Sequence, residues 1–162
     1  TLELNLPTVP NAYIVNWDLI GSTGLSREHY GAMRNFLIDT KDCFDELMKS
    51  YDKSYDDTGD GTNIILWLAQ HDEQSIARFG EHEILTLVDS MQTAAEKISQ
   101  KYQDISPKLK FVVGLGSIEQ EFTRYDKYTS DEFWRIGEIL KDHPGPETVA
   151  FTPSVQERLT NL

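Results

Sequence analysis

Two aspartates, Asp18 and Asp60, each stand at the edge of an apolar run, Asp60 between two glycines and Asp18 three residues before one. Asp18 closes "AYIVNWD" and is followed by "LIGSTGL", while Asp60 lies within "DDTGDGTNIILWL". A strand end followed by a glycine turn exposes a side chain at the rim of a sheet, and successive amides in such a turn can cradle an anion. A glycine-flanked acid between adjacent strands places a second carboxylate close to the first. Two carboxylates at that separation tolerate one another best with cations between them. Cations beside exposed amides suit triphosphate chemistry, in which metals bridge phosphate oxygens and neutralise developing charge. The blander reading is a pair of turn acids in an acidic protein.

Positioning these acids falls to a chain of 162 residues, long enough for one domain with a sizeable core. Residues 1–11, "TLELNLPTVPN", carry two prolines and a closing turn signal and read as an N-terminal arm; residues 12–162 read as the domain. "AYIVNWD" predicts a buried strand. "GSTGLS" predicts a turn, with Ser26 capping a helix over about 28 to 50 whose stripe is Met33, Phe36, Leu37, Phe44 and Leu47. "SYDDTGDG" is a turn-forming segment ahead of a second apolar strand, "TNIILWLA". A longer helix starts between 72 and 82 and runs to about Tyr102, burying Ile84, Leu87, Val88, Met91, Ala94, Ala95 and Ile98. "SPKLKFVVGLG" gives a turn and a strand, and the later half of "SIEQEFTRYDKYTSDEFWRIGEIL" a short helix. "TVAF" gives a short strand and "PSVQERL" a helix with Pro153 near its start. Strand, helix, paired strands, helix, strand, helix, strand, helix describes an α/β sandwich with a sheet covered mainly by helices.

The formal charge of -12 disfavours nonspecific attraction to nucleic acid or to an anionic membrane surface. No apolar run approaches the roughly 20 residues of a membrane helix, and the single cysteine, Cys43, has no internal disulfide partner and reads as a small buried side chain. The expected location is cytoplasmic, with no nucleic-acid or membrane partner. His29, His71, His82 and His143 lack metal-ligand spacing, and Tyr55, Trp67 and Trp134 read as packing aromatics.

The segments "IVNWDLIGSTGL", "YDDTGDGTNIIL", "KFVVGLG" and "ETVAFTPSVQERL" together resemble the catalytic domain of the class III nucleotide cyclases, including the uridylate and cytidylate cyclases of bacterial antiphage signalling. The resemblance implies a ferredoxin-like palm sheet covered by helices, working as a head-to-tail homodimer with a nucleoside triphosphate at the interface. Asp18 and Asp60 match the carboxylates that hold two Mg2+ or Mn2+ ions per active site, and Leu19, Ile20, Gly21, Ser22 and Thr23 match the backbone around one metal and the phosphates. The implied reaction is attack of the ribose 3′-hydroxyl on the α-phosphate, giving a 3′,5′-cyclic nucleotide and pyrophosphate.

Departures from the family pattern bear on substrate and activity. Adenylate cyclases generally carry a lysine four residues before the second metal acid; here that position is Asp56, which accepts where a lysine donates. Asp56, with Asp131 as a further base contact or a helix cap, therefore turns the expectation from ATP towards UTP or CTP. The family's Asn and Arg on the following helix have no clear match, so Arg135 takes the transition-state role from a shifted register, with Arg124 and Lys127 as alternatives. Two other readings stay open: a catalytically silent cyclase-like domain that binds a nucleotide or a protein, and another palm-domain nucleotidyltransferase, the latter disfavoured by the lack of a "GGDEF"-like hairpin.

Overall fold

The central strand β1 (Thr8–Leu19) shows how this sequence sorts its layers. Its side chains alternate across the sheet: Tyr13, Val15, Trp17 and Leu19 join one apolar cluster, whereas Ala12 and Ile14 join another on the opposite face. β1 pairs antiparallel with β3 (Gly61–Leu66) and with β4 (Leu109–Phe122). The computed structural model describes residues 8–66, 73–122, 126–142, 145 and 148–160.

The sheet order is β2-β3-β1-β4-β5, with β2 spanning Lys53–Asp57 and β5 spanning Asp126–Thr129; β6 (Val149–Phe151) runs parallel to β4 beside Phe111–Val113. The first four strands, with a helical crossover on either side of the β2-β3 hairpin, make the expected ferredoxin-like arrangement. One face is covered by α2 (Tyr30–Leu47) and α3 (Glu73–Ser99). Met33, Phe36, Leu37 and Phe44 of α2 and the predicted stripe of α3 pack there, with Phe44 edge-on to Trp17 at 5.5 Å between ring centres. The other face carries α4 (Asp131–Asp142), whose buried Ile136 meets Ile14, Ile65, Val112 and Ile118. α5 (Pro153–Thr160) closes the described chain and anchors through Val155.

Several boundaries differ from expectation for local reasons. The "STGLSRE" segment is helical, α1 (Ser22–Glu28), and His29 separates it from α2, so Ser26 caps nothing. "SYDD" is paired in β2 and only Thr58–Asp60 turn. β4 continues through the polar "SIEQEF", because Glu119–Phe122 find partners in β5, a strand too short and polar to stand out in the sequence. Met48, fully buried, ends the α2 stripe where Leu47 was expected, and Leu47 is exposed. Cys43 is half-buried against the core. Tyr55 is 44% exposed, with its hydroxyl donating to Asp45 at 2.5 Å, and Trp134 is 70% exposed, so neither is a packing residue. Trp67, His71, Arg124 and His143 fall outside the described residues.

Candidate active site

Asp18 stands opposite Gly61 on β3 and Lys110 on β4, near the end of β1. Asp60 ends the hairpin turn beside it. The Leu19 amide donates to the Asp60 carbonyl at 3.0 Å, which ties the turn to β1. Gly61 permits that approach: a Cβ there would lie 2.1 Å from the Trp17 carbonyl oxygen. The hairpin can therefore reach β1 only with glycine at this position, and Asp60 is delivered to Asp18 by the same closeness.

The two carboxyls interact across this gap. Burial, then the charge of Asp60 and a hydrogen bond to it, push the Asp18 carboxyl from 3.8 up to about 6, against the opposing pull of Lys110. Asp60 is steadied from the other side, where Ser22 Oγ donates to Oδ2 at 2.6 Å. Gly21, at φ 69, makes the left-handed turn that carries the chain from β1 into α1 and sets Ser22 facing Asp60. A hollow of about 400 Å³ opens here, lined in part by Ser22, Thr23, Arg27, Gly59 and Asp60.

The five residues after Asp18 divide by their backbone partners. The Leu19 and Ile20 amides are taken up, by the Asp60 and Lys108 carbonyls at 3.0 and 2.9 Å. They therefore offer no N–H to a phosphate. Gly21, Ser22 and Thr23 begin α1 at the hollow.

One row along the same sheet face lies a polar ladder. Asn16 Nδ2 donates to Asn63 Oδ1 at 2.8 Å, and Asn63 Nδ2 donates to Asp56 Oδ2 at 3.4 Å. Asn16 Oδ1 is buried without a hydrogen-bond partner. Asp56 thus accepts from within the ladder.

The α4 residues lie elsewhere. Arg135 Nη1 sits 3.9 Å from Glu132 Oε2, in a cavity by Gly116 and Ser117. Gly116 pairs with Ala12, six residues before Asp18, so about 20 Å of strand separates that cavity from the acids. Asp131 is exposed in the first turn of α4, while Ser130 Oγ accepts the Glu132 amide at 3.2 Å and so caps the helix. Within one chain neither Arg135 nor Asp131 is brought to Asp18 and Asp60. The Lys127 side chain lies outside the described residues.

Sequence reasoning missed Lys110 and Arg27. Lys110 becomes the counter-charge of Asp18 only through the β1-β4 register, and Arg27 reaches the hollow only because α1 is a helix. Among the described residues, no three His, Cys, Asp or Glu side chains group as a metal site, and no helix is long and apolar enough to cross a membrane.

No protein-family model and no curated protein matches the sequence. Solved structures match its fold. The guanylyl cyclase Cya2 superposes with a TM-score of 0.73 over 94% of this chain and 79% of that one, at 14% identity. The adenylyl cyclase CyaB from P. aeruginosa gives 0.68 over 98% and 84%, at 11% identity. The catalytic core of a rhodopsin-guanylyl cyclase with converted specificity, in complex with ATPalphaS, gives 0.69 over 96% and 84%, at 9% identity. With its 4-1-3-2 sheet, its two crossovers and these superpositions, the chain carries the class III nucleotide-cyclase catalytic fold.

Proposed function

We propose that this chain is a metal-dependent nucleoside triphosphate cyclase that works as a head-to-tail homodimer and takes a pyrimidine nucleotide, UTP or CTP. The observation that carries the reading is the meeting of Asp18 and Asp60 at adjacent strand ends, close enough for the Asp60 charge to add to burial in raising the proton affinity of Asp18. Two such acids fit a divalent cation, since a shared positive charge removes the repulsion that raises Asp18. Mg2+ binds through one or two carboxylates completed by water and substrate phosphates, so a larger protein cluster is not required. When bound, Mg2+ or Mn2+ would neutralise charge on the phosphates and favour the ribose 3′-alkoxide.

The chain's own residues do the rest by placement. Asp18 and Asp60 would hold the cation at the sheet rim, and Ser22 holds the Asp60 carboxylate in one orientation. The start of α1 and Arg27 border the hollow where a triphosphate would lie. Ring closure is intramolecular, so alignment and charge stabilisation are the tasks left to the protein. Asp56 offers an acceptor to an exocyclic amine or ring N–H of the base. The exposed face of α4 around Trp134 closes the site from a second copy, where the indole can stack on the nucleotide.

A second reading, a catalytically silent cyclase-like domain, draws on Arg135, whose guanidinium faces Glu132 rather than the carboxylates. One experiment separates the two. Protein incubated with ATP, GTP, CTP or UTP and Mg2+ or Mn2+ should convert UTP or CTP to a 3′,5′-cyclic product, with ATP not preferred. Asp18→Ala and Asp60→Ala should each lower turnover at least about 100-fold, the scale of a lost transition-state charge contact. Dominant cyclic AMP would defeat the base assignment. Nucleotide binding without product in intact dimers would establish the silent reading.

A further inference from the structure

The short helix α1 turns one polar face towards the acid pair. Ser22 and Ser26 are one helical turn apart, as are Thr23 and Arg27, so these residues lie side by side. All of them line the hollow beside Asp60, whereas Leu25, off that face, packs against the core. Among the described residues of that lining, Arg27 and Asp60 are the charged ones.

The two charges differ in how they are used. Asp60 is engaged by Ser22 Oγ at 2.6 Å and by Asp18. Arg27 is exposed, and among the described residues no acid pairs with its guanidinium. Nearby cations are already committed: Lys41 holds Asp57 at 3.0 Å, and Lys110 donates to the Leu140 carbonyl at 3.3 Å. A place in the last turn of α1 gives Arg27 a favourable helix-dipole contact, but that contact does not require the side chain to border the hollow. Along the helix axis Arg27 lies about 7.5 Å beyond Ser22, the residue that touches Asp60.

We propose that Arg27 is the contact for the terminal phosphate, and that through it the site selects a nucleoside triphosphate over the diphosphate. The assignment rests on the cyclase reading of Asp18 and Asp60. Ring closure needs the α-phosphate at the acids, so the outer phosphates extend away from them, and α1 is the wall that runs alongside. A cation held by Asp18 and Asp60 is partly neutralised by those carboxylates, which leaves charge on the terminal phosphate to be met from elsewhere. A guanidinium presents paired N–H donors that match phosphate oxygens, and the Thr23 and Ser26 hydroxyls beside it are further donors.

The test is calorimetric titration of the full chain, with Mg2+, by 3′-deoxy-UTP and 3′-deoxy-ATP and by the corresponding diphosphates. These analogues lack the attacking hydroxyl, so binding is read without turnover, and two bases keep the result independent of base preference. The wild type should bind a triphosphate about tenfold more tightly than its diphosphate, the scale of a charge-assisted contact. Arg27→Ala should remove most of that preference by weakening the triphosphate alone, and Arg27→Lys should restore part of it. Arg27→Gln decides the matter if the alanine variant does not fold. Arg34→Ala, which removes an exposed charge on α2 outside the hollow's lining, should leave the preference unchanged. Equal weakening of triphosphate and diphosphate in Arg27→Ala, or no weakening of either, would overturn the role of Arg27 and leave the cyclase reading standing. Failure of the wild type to bind any of these nucleotides would overturn both.

Discussion

At the scale of single residues, Asp18 makes the candidate site readable by pH. Its carboxyl holds a proton up to about pH 6 in the folded chain, against 3.8 for the ordinary group. Between those values the folded state binds more proton than the unfolded one, so stability falls as pH rises through this window. Below it both states are protonated, and above it both are ionised and the loss is complete. Asp18→Asn carries no such charge. In urea unfolding without divalent metal, its stability advantage over the wild type should therefore grow from about pH 4 to pH 6 and then level off. An advantage that shrank with rising pH would contradict the assigned cause. A second residue-scale prediction follows from the role of Asp60 in that shift: in Asp60→Asn, the Asp18 titration midpoint followed by carboxyl 13C resonances should move below 6, because the neighbouring charge is gone while burial remains.

At the scale of elements, the hairpin turn and α1 deliver Asp60. Gly61→Ala places a methyl 2.1 Å from the Trp17 carbonyl oxygen and 3.1 Å from Asp18 Oδ1, both on β1. The two strands must part, at a cost of about 1 to 3 kcal/mol by comparison with other overpacked core positions. Thermal melting should show the loss, and the Asp18 midpoint should fall as Asp60 retreats; an unchanged melt with an unchanged midpoint would mean the strands yield freely. The apolar runs made β1, β3 and the α3 stripe legible, because burial on one or two faces leaves its period in the sequence. Asp18 and Asp60 were legible for the same reason, as acids interrupting apolar runs near glycine. Less could be read where partners are remote: β5 and the polar half of β4 exist through each other, and Lys110 meets Asp18 through a register no local pattern encodes. Trp134 misled because indoles are usually buried, while its helix turns that position outward and gives Ile136 to the core.

At the scale of the whole molecule, the two ends of β1 set the assembly question. The acids stand at one end and the start of α4 at the other, about 20 Å apart by strand rise, so one chain cannot apply both to one nucleotide. In the proposed head-to-tail pair one copy's acids would meet the other copy's α4, giving two equivalent sites. Defects at the two ends should then complement. Asp60→Ala removes the acid half of a site, and Trp134→Ala removes an exposed indole whose stacking on a base is worth about 1 to 3 kcal/mol, or roughly fivefold in turnover and upwards. When the two variants are co-expressed with different tags, half of randomly formed dimers are mixed, and each mixed dimer holds one intact site. The preparation should recover about a quarter of wild-type turnover, since one site in four is whole. Purification through both tags should raise that to about half. Turnover equal to the sum of the separate variants would place all the chemistry within one chain, and full activity in a strictly monomeric sample would do the same.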